Sequence, residues 1–116
     1  MEWRPTTAEE IKRIVRDDLA KCDSQQVATF ERYSVEPCLA PIWRCGSLEN
    51  VFVVARKGDE VIYREETEEG FNVSPVAPEC RILEHWCNQD ELSVALNNWI
   101  DGRLRPDRFG PAARRD

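Results

Sequence analysis

The residues best able to do chemistry in this chain are its five cysteines and its single histidine, His85. Cys38 and Cys45 lie seven positions apart, as do Cys80 and Cys87, and His85 falls between the second pair. A structural zinc ion is usually bound by thiolate pairs that about two to four residues separate. Neither pair has this spacing, so we interpret the cysteines as reduced thiols that pack as small apolar side chains. We predict no metal site and no cofactor.

Cys87 and His85 also form the one thiol and imidazole pair that could act as a nucleophile and its base. On a strand both side chains would point to the same side. A catalytic pair also needs a third group that orients the base. The sequence shows neither such a group nor an oxyanion-hole pattern, so we predict a non-enzymatic protein without catalytic residues.

A cluster of carboxylates surrounds the hairpin that the sequence predicts. Paired carboxylates could act as acid and base or bind a hard cation, but a catalytic pair needs two unequal environments. Consecutive glutamates in a loop share one wet environment, which is typical of a solvated loop or of a surface that docks a basic partner. The candidate partner-binding residues are Asp59, Glu60, Glu65, Glu66, Glu68 and Glu69.

Aromatic side chains support an alternative function, the binding of a small cationic or apolar molecule. Large aromatic residues rarely bury completely in so small a domain, so one or two of them can line a pocket or an interface. An aromatic face also attracts cations. The candidate pocket or interface residues are Trp43, Tyr63, Phe71, His85 and Trp86.

The net charge of −6 is unevenly distributed along the 116 residues. Residues 101–116 contain five arginines and three aspartates, a charge of +2, so residues 1–100 carry −8. So acidic a body repels phosphate backbones and attracts basic partners, and we expect no nucleic-acid binding. The sequence contains no apolar stretch of the length that a membrane span or a signal-peptide core needs. We therefore expect a cytoplasmic protein that does not bind membranes.

Helical patterns lie at both ends of the chain. Thr7 and Glu10 fit a capping box, and an apolar stripe predicts a helix over residues 7–22. Asn88 fits an N-cap for a second helix, which Gly102 would end. The predicted domain therefore covers residues 1–102, and a loose, arginine-rich tail covers residues 103–116.

The residues between the two helices predict strands. A hairpin is indicated by the apolar residues 51–55, a turn at Gly58 and Asp59, and a second strand; residues 51–55 are apolar on both faces, as in a central strand. Further strands are predicted at 27–35, 39–45, 71–75 and 81–86, and Pro41 marks an edge strand. We therefore predict a two-layer α+β fold, in which one helix at each end packs on an antiparallel sheet of four to five strands.

Two segments, residues 68–75 and 82–92, carry a resemblance. They resemble small uncharacterised bacterial proteins, some of which are carried on mobile gene cassettes such as integrons. The resemblance implies a bacterial, cytosolic, single-domain protein and assigns no catalytic or binding residue.

The sequence therefore favours a binding module whose acidic hairpin docks a basic protein, as an immunity or antitoxin-like inhibitor would. A small-molecule binder is the alternative, and we predict a homodimer.

Overall fold

The computed structural model of the chain describes residues 6–44, 46–65, 69–84 and 90–100. Its elements form a four-stranded antiparallel sheet in the order β1-β2-β3-β4, with two helices before it and a short helix after it. The predicted α+β class is therefore confirmed. The elements are α1 (Ala8–Leu19), α2 (Ser24–Tyr33), β1 (Ser34–Arg44), β2 (Ser47–Lys57), β3 (Glu60–Glu65), β4 (Gly70–Pro75) and α3 (Leu92–Leu96), followed by a 3-10 turn (Asn97–Trp99).

Helix α1 begins as its sequence predicts. The Thr7 hydroxyl accepts a hydrogen bond from the Glu10 N–H at 3.2 Å, and the Glu10 carboxylate accepts one from the Thr7 N–H, also at 3.2 Å. This reciprocal pair satisfies two N–H groups that would lack helical partners. The helix ends at Leu19, three residues before the predicted end, and it buries Ile11 and Val15.

The predicted strand over residues 27–35 is wrong, because most of this segment is the helix α2. Its β-branched and aromatic residues favour a strand, but a second capping box precedes them. The Asp23 carboxylate accepts from the Gln26 N–H at 2.8 Å, and the Gln26 side chain accepts from the Asp23 N–H at 2.9 Å. Gln26 and Phe30, one helical turn apart, then form the buried side.

The β2–β3 hairpin follows the predicted register up to one bulge. Lys57 pairs with Glu60 and Ala55 with Ile62, and Gly58 takes the positive φ of 61° that the turn requires. Tyr63, however, pairs with Val53 and not with Val54, because the register shifts between Val53 and Ala55. Residues 51–55 are all buried, which confirms that β2 is covered on both faces there.

Strand β1 is longer than predicted and pairs with most of β2, from Arg44 with Ser47 to Ser34 with Ala55. Strand β2 begins at Ser47, so the hairpin between the two strands is tight, and Trp43 pairs with Leu48. The two strands form an arm that extends past the end of β3, since the last pairing of β2 with β3 is Phe52 with Arg64. Pro41 does lie in an edge strand, as predicted.

The sheet coils until its first and last strands meet through Ile82. Ile82 forms a parallel bridge with Ile42 of β1 and an antiparallel bridge with Val76, which directly follows β4. Its N–H donates to the Pro41 carbonyl at 2.8 Å, and the Leu83 N–H donates to the Pro75 carbonyl at 3.1 Å. The strand predicted at 81–86 is therefore reduced to bridges at Ile82, and residues 85 and 86 lie outside the described part.

Two cores lie on opposite faces of this sheet. We call the face under the helices the outer face; its core joins α1, α2, α3 and Trp99 to Phe52, Ile62 and Phe71. The inner face encloses a second core, which the coiled sheet and Ile82 surround. The inner core consists of Ala40, Ile42, Val51, Val53, Val61, Tyr63, Val76 and Ile82.

Helix α3 begins later than predicted. Its N-cap is Glu91 and not Asn88, which lies outside the described residues. The Glu91 side chain makes no capping hydrogen bond; the Asp18 carboxylate of α1 instead accepts from the Leu92 N–H at 3.0 Å. The apolar residues of this segment face the core, since Leu92, Leu96 and Trp99 are all buried. Gly102 and residues 103–116 lie outside the described part.

Candidate functional site

The predicted acidic surface is divided by strand β3. Asp59 and Glu60 are exposed at the β2–β3 turn, whereas Glu69 is exposed at the other end of β3. A strand of this length separates its ends by about 17–20 Å. Glu66 and Glu68 lie outside the described residues. Carboxylates at the two ends of β3 do not form one continuous surface.

Glu65 does not belong to a solvated run, and the prediction is wrong on this point. Its side chain is 0% exposed, because it is the last residue of β3 and alternates onto the inner face with Tyr63. A carboxylate in this position cannot contact a docking partner. The sequence signal for the burial of Glu65 was the strand alternation that places it on the same face as Tyr63. The glutamates that follow it made residue 65 look like part of a loop.

Glu65 shares the inner face of the sheet with two polar side chains of β4. Asn72 pairs with Tyr63 and Ser74 with Val61, so both β4 side chains share the inner face. Asn72 is 3% exposed and Ser74 is fully buried. The Ser74 hydroxyl accepts from the Glu84 N–H at 2.9 Å and donates to the Pro75 carbonyl at 2.7 Å, while the Tyr63 hydroxyl donates to the Glu84 carbonyl at 3.3 Å. These bonds hold the segment after Ile82 against the sheet.

The predicted aromatic residues do not line one pocket. Tyr63 lies in the inner core and Phe71 in the outer core, so the sheet separates them. Phe71 is fully buried, and the Arg64 guanidinium stacks 5.1 Å from the centre of its ring. Trp43 lies on the arm and is 41% exposed. His85 and Trp86 lie outside the described residues.

Trp43 is the centre of a group of exposed apolar side chains that the sequence did not predict. Trp43 and Leu39 of β1 lie on the outer face, two strand periods apart, because Ala40 and Ile42 between them face the inner core. Leu48 of β2 pairs with Trp43. Leu39 and Leu48 are each 59% exposed.

Leu83 extends this group to a third chain segment. Ile82 faces the inner core beside Ile42, so the next residues, Leu83 and Trp43, are neighbours on the outer face. Leu83 is 38% exposed. We call Leu39, Trp43, Leu48 and Leu83 the outer apolar row.

The outer apolar row is exposed because the helices cover only part of the outer face. They pack on Phe52 and Val54, in the half of β2 nearest the β2–β3 turn, and on β3 and β4. The arm carries Leu48 and Trp43 past this cover. Single exposed leucines are ordinary, but a contiguous group around a tryptophan is typical of an interaction surface.

The carboxylates that follow members of the outer apolar row in sequence belong to the other face of the sheet. Glu49 is exposed and pairs with Ile42, and the half-buried Glu84 bonds through its backbone to Ser74 and Tyr63, so both alternate onto the inner face. Farther along β1, the Glu36 carboxylate forms an ion pair with Lys12 of α1. The hydrogen bond between these two side chains, and then the negative charge of Glu36, raise the pKa of Lys12.

The described cysteines are separate from one another in the fold. Cys38 and Cys80 are exposed, and the Arg56 guanidinium donates to the Cys80 sulfur at 3.2 Å. Cys22 is half-buried against the outer core; burial, followed by the charges of Asp18, Asp23 and Glu91, raises the pKa of its thiol. Within the described ranges no three metal-binding side chains come together. Cys45 and Cys87 lie outside them.

Comparisons of this chain with protein-family models, with curated proteins and with solved structures gave no match. In the described part of the chain no helix has the length and apolar character needed to cross a bilayer.

Proposed function

We propose that this protein is a non-enzymatic module that binds a basic protein partner, and that the outer apolar row is the centre of its docking surface. The observation that carries the proposal is the contiguous exposure of Trp43 and three leucines on three neighbouring chain segments. Protein interfaces combine an apolar centre, in which tryptophan is enriched, with a polar rim. An immunity or antitoxin-like inhibitor in the cytoplasm of a bacterium is one concrete form of this function.

The charge of the protein indicates what kind of partner fits. Residues 1–100 carry a net charge of −8. Opposite charges at the rim accelerate association and exclude partners of like charge. A basic partner with an exposed apolar patch is therefore favoured. The exposed Asp59, Glu60 and Glu69 contribute to the long-range attraction without forming the contact surface.

A second copy of the chain is the competing occupant of the row. The homodimer predicted from the sequence would bring two acidic bodies together, which costs free energy at low ionic strength. The homodimer stays a prediction, and light scattering at micromolar concentration distinguishes it from the monomer by mass.

Site-specific cross-linking in the source organism tests the proposal. A photoreactive phenylalanine derivative at position 48 is expected to form an adduct of discrete mass with a basic protein, and raising the salt in the lysate before irradiation should reduce the yield. The same residue at the exposed position 17 of α1 is the control. Equal adducts at both positions, an acidic partner, or an adduct of twice the chain mass would overturn the proposal.

One observation favours the alternative, a small-molecule binder. Glu65 is a fully buried carboxylate on the same face as Tyr63 and Asn72, and buried charges mark binding sites as well as structural ion pairs. Such a site would prefer small primary amines or guanidinium compounds. A thermal-shift screen with these cations should raise the melting temperature of the wild type but not of Glu65→Gln. No shift in the wild type would remove this candidate.

A further inference from the structure

We draw no further inference here: the strongest candidate, the outer apolar row on the arm of β1 and β2, belongs to the docking surface already proposed, and nothing among the described residues shows what covers it.

Discussion

At the scale of single residues, Glu65 is the clearest difference between what the sequence suggests and what the fold does. It stands beside other glutamates, yet its carboxylate is withdrawn from solvent onto the inner face. Burying a charged group is costly unless other groups compensate it, so its surroundings are adapted to it. A buried carboxylate of this kind contributes to the stability of the fold or to a ligand site, and not to a docking surface.

Glu65→Ala is therefore expected to lower the free energy of unfolding by about 3 kcal/mol, because the groups that compensate the carboxylate remain buried without it. Glu69→Ala, at an exposed position four residues later, should change it by less than about 0.5 kcal/mol. Urea titrations of both variants measure the difference. Equal values would mean that Glu65 is as solvated as its neighbours.

Cys22 allows a second prediction at this scale. Burial and the nearby carboxylates raise the pKa of its thiol, so less thiolate is present at any pH below that value. Iodoacetamide at pH 8 should modify Cys22 more slowly than the exposed Cys38, and the difference should vanish in urea. Peptide mass spectrometry over time measures both rates; a faster reaction at Cys22 would contradict the assigned environment.

The same shift fixes the sign of a small pH effect on stability. A thiol whose pKa is higher in the folded than in the unfolded protein binds its proton more tightly when folded. Its contribution to stability is therefore complete below the unfolded value, near 9.0, and is lost as the pH rises through the folded value. Cys22→Ser should remove this alkaline decline while leaving the acid side unchanged.

At the scale of elements, local signals predicted some elements and misled for others. The Thr7 capping box, the Gly58 turn and the register from Lys57 to Ala55 were readable because each depends on neighbours in the sequence. The bulge at Val54 depends on packing between β2 and β3 and leaves no sequence signal. Helix α2 does carry a local signal, the Asp23 and Gln26 capping box, although the residues after it have the composition of a strand.

The capping box of α2 can be measured directly. Asp23→Ala removes the carboxylate that accepts from the Gln26 N–H and should cost about 1 kcal/mol of unfolding free energy. Ser24→Ala alters the next residue, which is exposed and is the first of the helix, and should cost less than about 0.5 kcal/mol. Chemical denaturation followed by circular dichroism compares them. If the two costs are equal, the cap does not contribute to stability.

At the scale of the whole molecule, the closure of the sheet by Ile82 produces two features. It encloses the inner core, and it brings Leu83 beside Trp43 in the outer apolar row. Ile82 joins β1 to the end of β4, and this contact spans forty residues of sequence from Ile42. No local pattern announces a pairing of that range, which is why the outer apolar row could not be predicted. The sequence did contain the apolar residues of the row, but their exposure follows from how far the helices reach.

Neighbouring residues 82 and 83 test that arrangement as a whole. Ile82→Ala should lower the free energy of unfolding by about 2–4 kcal/mol, since it opens a cavity in the inner core where the two edges of the sheet meet. Leu83→Ala should cost less than about 1 kcal/mol, because that side chain lies on the outer face and is partly in solvent. Tryptophan fluorescence and far-UV circular dichroism should report one coincident transition for each variant, as expected of a single cooperative unit. If Leu83→Ala cost more than Ile82→Ala, Leu83 and not Ile82 would face the core. Leu83 would then not belong to the outer apolar row, on which the docking proposal depends.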